Sequence, residues 1–132
     1  MKILIIMLLS INLFSEDIVI KNINSVYDGD TFKVDLNCDI KLLCNDIPIR
    51  VLGIDTPELR GTTGKVKSQS LEAKRVTTEF LESGKITLED CKRDKYFRLL
   101  CKVKKEEAYL SDILIERDLA KPYFGGTKET FE

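Results

Sequence analysis

The sequence contains no histidine. Imidazole is the general base of Ser-His-Asp triads, and it also serves as a ligand in many zinc hydrolases. Its absence excludes both classes, together with nucleases that use histidine as their base. Any catalysis must therefore depend on carboxylates, Arg, Lys or Tyr.

The chain also lacks an excess of positive charge. It has 21 basic and 22 acidic residues, and so a formal net charge of −1. Proteins that bind nucleic acid through their overall field are usually basic, so such binding here must depend on a local site. With 132 residues, 43% of them hydrophobic, the composition predicts one folded domain, and we find no internal repeat.

No apolar run is long enough to cross a bilayer, which takes about 20 residues. Residues 3–14 are almost wholly apolar, follow Met1 and Lys2, and precede the polar Ser15. This pattern predicts a signal peptide at residues 1–15, a mature domain at 16–132, and a secreted or periplasmic protein without permanent membrane insertion. An uncleaved anchor is the alternative interpretation. Because no cysteine ends the apolar run, a lipoprotein is not indicated.

Cysteine is scarce, but its number is even. The four cysteines are Cys38, Cys44, Cys91 and Cys101. Their spacing does not resemble the paired Cys-x-x-Cys of a zinc site, and export would permit disulfides. We favour Cys38 with Cys44 and Cys91 with Cys101, since each pair brackets a short turn-like segment, although three connectivities are possible.

The hydrophobic pattern predicts five strands and two helices. Strands are expected at residues 18–26, 31–36, 49–54, 86–89 and 99–103, with a hairpin turn at Asp28-Gly29. Helices are expected at residues 65–83 and 110–119, where apolar side chains recur at helical spacing. The order β-β-β-α-β-β-α predicts an α+β, mainly β fold: a five-stranded OB-type barrel with two packed helices.

Three clusters concentrate polar side chains where strands begin or end. They are residues 28–31, Arg50 with residues 55–58, and residues 93–98. Taken singly, each is more typical of a turn or a solvated hairpin tip. Along a straight strand, Arg50 and Asp55 would be about 16 Å apart, so curvature of the barrel would have to bring them to one cavity.

Together, the clusters supply what phosphodiester cleavage requires, namely a cation, a base and donors for the phosphate oxygens. Asp30, Asp55 and the carbonyl of Thr56 are hard oxygen ligands of the kind Ca²⁺ takes. Glu58 could accept a proton from water, and the two arginines, Arg50 and Arg98, could bind phosphate oxygens in bidentate fashion.

Three segments in this order resemble the signature segments of the thermonuclease family, the staphylococcal nuclease homologues. They are residues 26–31 (VYDGDT), 50–58 (RVLGIDTPE) and 94–98 (DKYFR). Residues 119–123 (LAKPY) are similar to the segment that follows the family's second helix. The similarity covers residues 18–123, which is nearly all of the predicted mature chain.

The resemblance implies a monomeric, Ca²⁺-dependent nuclease that acts on DNA and RNA with low sequence specificity and leaves 3′-phosphate ends. It implies catalytic roles for Arg50, Glu58 and Arg98, and Ca²⁺ ligation by Asp30, Asp55 and Thr56. The remaining implied positions are substrate contacts by Lys95, Tyr96 and Tyr123, and a place just outside the metal's ligands for Asp28.

The sequence departs from the family pattern at two points. Phe97 stands where the best-known member has glycine, and the chain stops soon after Gly126, where that member continues into a third helix. The two disulfides could replace part of the lost support. The rival functions are a barrel that binds single-stranded nucleic acid without cleaving it, and an exported scaffold stabilised by calcium.

Overall fold

A computed structural model describes residues 17–132. The predicted signal peptide lies outside this range. The elements in chain order are β1 Ile18–Val26, β2 Thr31–Leu36, α1 Lys41–Cys44, β3 Ile47–Val51, β4 Ile54–Asp55, α2 Gly64–Glu82, β5 Thr87–Arg93, β6 Leu99–Lys105, β7 Ala108–Tyr109, α3 Leu110–Glu116 and β8 Lys121–Pro122. No helix in this range is long and apolar enough to span a membrane.

Five strands close into a barrel, which confirms the predicted fold class. The strands β3, β2, β1, β5 and β6 are neighbours in that order, and parallel pairing of β3 with β6 closes the ring. All other pairs within the ring are antiparallel. The short strands stand outside this ring: β7 pairs with β6, and β4 pairs with β8.

The barrel core follows from alternation along the strands. In β2, Phe32, Val34 and Leu36 are buried, whereas Lys33 between them is exposed. The helix α2 covers the barrel with a face of residues spaced three or four apart, which is the spacing of one helical face. The buried residues of that face are Ser70, Ala73, Val76, Thr77, Phe80 and Leu81.

The predicted strand at residues 49–54 is wrong, because the structure divides it into β3 and β4. A turn at Leu52 and Gly53 separates the two strands, and Gly53 has a φ of 86°. Glycine adopts such angles without a Cβ penalty, so the chain can reverse sharply here. The turn matters for the site because it folds Asp55 back toward Arg50.

The predicted helix at residues 110–119 is also too long, since α3 ends at Glu116. Its end has the hydrogen bonds of a Schellman motif: Leu119 N–H donates to Leu114 O, and Asp118 N–H donates to Ile115 O. Asp118 occupies the left-handed position with a φ of 57°. Glycine usually occupies this position. Because aspartate stands here, the sequence contains no signal for the helix end, and the predicted helix was too long.

Several short or extended elements were not predicted. The helix α1 and the strands β4, β7 and β8 are too short to produce a periodic signal. The strand β5 continues to Arg93 through a bulge, beyond the predicted end at residue 89. The predicted helix at residues 65–83 agrees with α2 to within one residue at each end.

The structure joins Cys38 to Cys44 and Cys91 to Cys101, as expected. The first bridge closes the loop that contains α1. The second crosses from β5 to β6 at the bulge, with the two Cα atoms 4.3 Å apart. Each bridge closes a short loop, and this constrains the unfolded chain.

Candidate functional site

The loop between β1 and β2 holds Asp30 in the barrel wall. Its side chain is buried, and Oδ2 accepts a hydrogen bond of 3.0 Å from the backbone N–H of Thr56. Its Oδ1 accepts a bond of 3.0 Å from the Thr31 hydroxyl, and its backbone carbonyl accepts one from Val51 N–H. This loop is therefore fastened to the segment that carries Asp55.

Gly29 allows α2 to approach this loop closely. A Cβ at this position would lie 2.7 Å from Ala73 Cβ and 2.9 Å from Thr56 Cγ2, both closer than real Cβ contacts. The Thr77 hydroxyl donates a buried bond of 2.6 Å to Gly29 O. Neither Asp28 nor Gly29 has a positive φ. The turn is where we predicted it, and glycine is required here for space, since no unusual backbone angle is involved.

Arg50 joins the two candidate metal-binding carboxylates. Its Nη2 lies 3.3 Å from Asp30 Oδ2 and 3.2 Å from Asp55 Oδ1, and it donates to Ile54 O at 3.2 Å. All three side chains are largely buried. The turn at Gly53 brings Arg50 and Asp55 together, where we had expected curvature of the barrel to do so.

Asp28 contacts Asp30 within the same loop. Its Oδ1 accepts a hydrogen bond of 3.2 Å from Asp30 N–H. Burial, and then the negative charge of Asp30, raise the pKa of Asp28 to about 7, while Arg50 partly opposes the shift. Asp28 thus supports the loop and carries only a fractional charge near neutral pH.

The residues predicted to bind Ca²⁺ fit a cation by their chemistry. Asp30 and Asp55 are nearly inaccessible carboxylates that contact the same guanidinium, that of Arg50, and Asp55 also contacts the Lys128 ammonium. In the same place, Thr56 Oγ1 is buried and has no hydrogen-bond partner among the residues described. No group of three or more acidic, thiol or imidazole side chains within residues 17–132 is arranged to hold a metal. Since Ca²⁺ takes six to eight oxygen ligands, water and substrate would have to complete the shell.

Glu58 lies on the loop that follows β4, with its side chain 71% exposed. Its Oε1 is 4.0 Å from Lys128 Nζ, and its backbone carbonyl accepts a bond from the Thr62 hydroxyl. The structure therefore places Glu58 next to the carboxylates with its side chain open to water.

The hairpin between β5 and β6 presents Arg98. Asp94 accepts a bond of 2.8 Å from Arg98 Nε and also accepts bonds from the backbone N–H groups of Tyr96 and Arg98. Burial opposes ionisation of Asp94, but these hydrogen bonds, led by that from the Arg98 side chain, outweigh it and lower the pKa of the carboxyl. The Tyr96 ring lies 5.1 Å from both Lys95 Nζ and Arg98 Cζ.

Strand register places this hairpin beside Arg50. Arg50 pairs with Leu100 in the parallel pair of β3 and β6, and Arg98 precedes Leu100 by two residues. The described contacts of Arg98 are with Asp94 and Tyr96, and none joins it to Asp30 or Asp55. The two arginines therefore lie on neighbouring strands or their connection without sharing a described partner.

Phe97 has a φ of 61° and is 81% exposed. A bulky residue rarely adopts this left-handed conformation. Phe97 therefore holds a left-handed turn position for which glycine is the usual residue.

Tyr123 lies against the turn between β3 and β4. Its N–H donates to Gly53 O at 2.9 Å, and its hydroxyl donates to Gly126 O at 3.2 Å. Pairing of Asp55 with Lys121 brings this segment to the site. Tyr123 therefore lies next to the strand that carries Asp55, whereas the described contacts of Lys95 and Tyr96 stay within their own hairpin.

Sequence reasoning missed Lys128. Its Nζ lies 2.9 Å from Asp55 Oδ1 and 5.6 Å from the centre of the Tyr123 ring. A lone lysine in a segment without periodicity gives no signal in the sequence. The buried Thr77 could have been suspected, because it is, with Ser70, a polar side chain on the largely apolar buried face of α2.

Comparison with known proteins shows similarity to one protein family and to two bacterial nucleases. The family model of the staphylococcal nuclease homologues matches residues 48–131. The SPbeta prophage-derived endonuclease YokF of Bacillus subtilis (strain 168) is 32% identical over 109 residues, which cover 80% of this chain and 35% of that protein. Endonuclease YncB of the same organism is 34% identical over 97 residues, covering 71% of this chain and 43% of that protein. The chain thus spans less than half the length of either relative. On the match to more than half of its residues, the chain belongs to the staphylococcal nuclease homologue family.

Proposed function

We propose that this chain is a nuclease domain that hydrolyses phosphodiester bonds of DNA and RNA with Ca²⁺ as cofactor, low sequence specificity and 3′-phosphate products. The observation that carries the proposal is the buried group of Asp30, Asp55 and Arg50, in which one guanidinium contacts two carboxylates. Both Bacillus relatives are named endonucleases.

Asp30 and Asp55, with the carbonyl of Thr56, would hold the cation. When bound, Ca²⁺ neutralises phosphate charge and polarises the phosphoryl oxygen. The hydrogen bonds that Asp30 accepts from Thr31 and Thr56 hold its carboxylate in a fixed orientation. Rigid ligands of this kind favour a defined cation position before substrate arrives.

The arginines would bind the phosphate. Every contact described for Arg50 uses Nη2, which leaves its Nε and Nη1 hydrogens to donate to phosphate oxygens. Arg98 is held by Asp94, so its guanidinium has a fixed orientation before substrate arrives. Donors held where charge develops stabilise the transition state more than the ground state.

Glu58 would accept a proton from the attacking water, because it is the solvent-open carboxylate at the site. Lys95, Tyr96 and Tyr123 would contact neighbouring parts of the substrate, because Tyr123 bonds to Gly53 in the turn before Asp55, and Lys95 and Tyr96 lie on the hairpin that carries Arg98. Exposed aromatic and basic side chains suit single strands without reading sequence.

The assay is degradation of plasmid DNA, single-stranded DNA and RNA by the purified mature protein, with calcium or with a chelator. Degradation is expected only with calcium, and analysis of product ends should find 3′-phosphates. Glu58→Gln should lower kcat by about 10²- to 10⁴-fold, the usual contribution of a general base. Arg98→Ala should also lower kcat, whereas Glu107→Gln and Arg75→Ala, which alter charged residues away from the site, should not.

Binding of single strands without strand loss would contradict the enzyme and favour a binding module. A calcium-dependent rise in melting temperature without either activity would favour a scaffold. We also propose that residues 1–15 direct export and are removed, giving a monomer outside the cytoplasm. Two disulfides in the domain support this, since they persist in oxidising compartments. Mass spectrometry of the exported protein would test the removal of residues 1–15. Its molar mass in solution would test whether it is a monomer.

A further inference from the structure

Lys128 places a positive charge against the carboxylates of the site. Its Nζ lies 2.9 Å from Asp55 Oδ1 and 4.0 Å from Glu58 Oε1. The Asp55 side chain is only 9% exposed, whereas that of Lys128 is 42% exposed. The contact therefore joins a nearly buried carboxylate to a side chain that can still withdraw into water.

The segment that carries Lys128 is anchored on both sides of it. Before it, the Tyr123 hydroxyl bonds to Gly126 O. After it, the Lys121 ammonium contacts Thr130 O and Glu129, and lies 4.9 Å from the centre of the Phe131 ring. Lys128 is thus held over the site by its neighbours, and its own side chain can leave without undoing those contacts.

Asp55 has two cationic partners in this structure, Arg50 and Lys128. Arg50 is shared with Asp30 and lies within the barrel wall, while Lys128 approaches from the tail. A carboxylate oxygen in contact with an ammonium is poorly placed to ligate a cation as well, because the two positive charges repel each other.

We propose that Lys128 is part of the site: its ammonium is the internal counter-cation of Asp55 and Glu58, and it competes with the divalent cation for Asp55. The inference rests on the proposed cation site. Binding of Ca²⁺ displaces the Lys128 side chain into solvent, so this residue lowers the affinity of the site for calcium. The displaced ammonium of Lys128 can then contact the phosphate backbone of a substrate.

The first experiment is a titration of the folded protein with calcium chloride alone, by calorimetry, without nucleic acid. Lys128→Met should bind calcium about fivefold more tightly than the wild type, as expected for loss of a partly exposed competing ion pair. Lys102→Met is the matched control. Lys102 forms an ion pair of similar length with Asp90 and is similarly exposed, but it lies elsewhere on the barrel. The calcium affinity of the Lys102→Met variant should equal that of the wild type.

The second experiment needs no variant. Acetylation of lysine amines in the wild type, measured residue by residue by mass spectrometry, should increase at Lys128 when calcium is added and stay constant at Lys102. Equal affinity of wild type and Lys128→Met would overturn the inference and leave the proposed function intact. Tighter binding with unchanged acetylation of Lys128 would also overturn it, because the effect would then be one of general charge. Absence of calcium binding in both proteins would overturn this inference together with the proposed cation site.

Discussion

Replacing Gly29 by alanine tests whether close packing of α2 holds the site together. The added Cβ would lie 2.7 Å from Ala73 Cβ and 2.9 Å from Thr56 Cγ2. Neither neighbour is the far end of a flexible side chain, so α2 or the loop between β1 and β2 must shift. Such a shift stretches the bond from Thr77 to Gly29 O and moves Asp30 away from Thr56 N–H.

The expected loss of stability is about 2 to 4 kcal/mol, from overpacking at 1 to 3 kcal/mol and the weakened buried hydrogen bond at about 1 kcal/mol. For a domain of this size, the loss should lower the melting temperature by roughly 10 °C or more. The sequence contains no tryptophan, so guanidinium unfolding is best followed by far-UV circular dichroism.

Gly84→Ala is the control, because a Cβ there would meet only the flexible Lys105 side chain at 3.4 Å, and Gly84 has no positive φ. Its stability should change little. Adding Ala73→Gly to Gly29→Ala removes the closest contact and should recover part of the loss, measured as a coupling energy in a double-mutant cycle. If Gly29→Ala unfolds at the same denaturant concentration as the wild type, the packing argument is refuted.

Three further predictions concern the hairpin and the disulfides. The pKa of Asp94 is lowered in the folded protein, so its contribution to stability is full at neutral pH and is lost as the pH falls below about 4. Asp94→Asn should therefore flatten the acid limb of a pH–stability curve, and an unchanged limb would contradict the assignment. Phe97→Gly should be more stable than Phe97→Ala by about 1 kcal/mol, because only glycine adopts a φ of 61° without strain; denaturant unfolding compares the two. Reduction of both disulfides should lower stability by about 2 to 3 kcal/mol for each, and an unchanged melting temperature of the reduced protein would disprove their stabilising role.

Local patterns predicted the barrel well. Alternation of buried and exposed side chains along β2, and helical spacing on α2, each reflect one element packing on one core, and both were placed nearly correctly from sequence. The element boundaries that were predicted wrongly depend on the backbone conformation of a single residue. Gly53 turns a strand that looked continuous, and Asp118 ends a helix with an angle that aspartate adopts less often than glycine.

The structure brings three of the predicted site residues together, but the sequence did not predict their contacts. Asp30, Arg50 and Asp55 were all named, yet their ion pairs depend on a turn that the sequence pattern did not indicate. Lys128 was not named, because it reaches Asp55 from 73 residues along the chain and belongs to no periodic segment. Contacts of this kind are set by the tertiary fold, and single-sequence patterns do not encode them.

The parallel seam of the barrel has a consequence for folding kinetics. The strands β3 and β6 that form it are about 50 residues apart in the chain, so no hairpin can bring them together, and the entropy of closing a long loop must be overcome first. Until this happens, β3 pairs only with β2 and leaves one edge open to other chains. Refolding yield should therefore fall as protein concentration rises, with intermolecular strand pairing competing against ring closure.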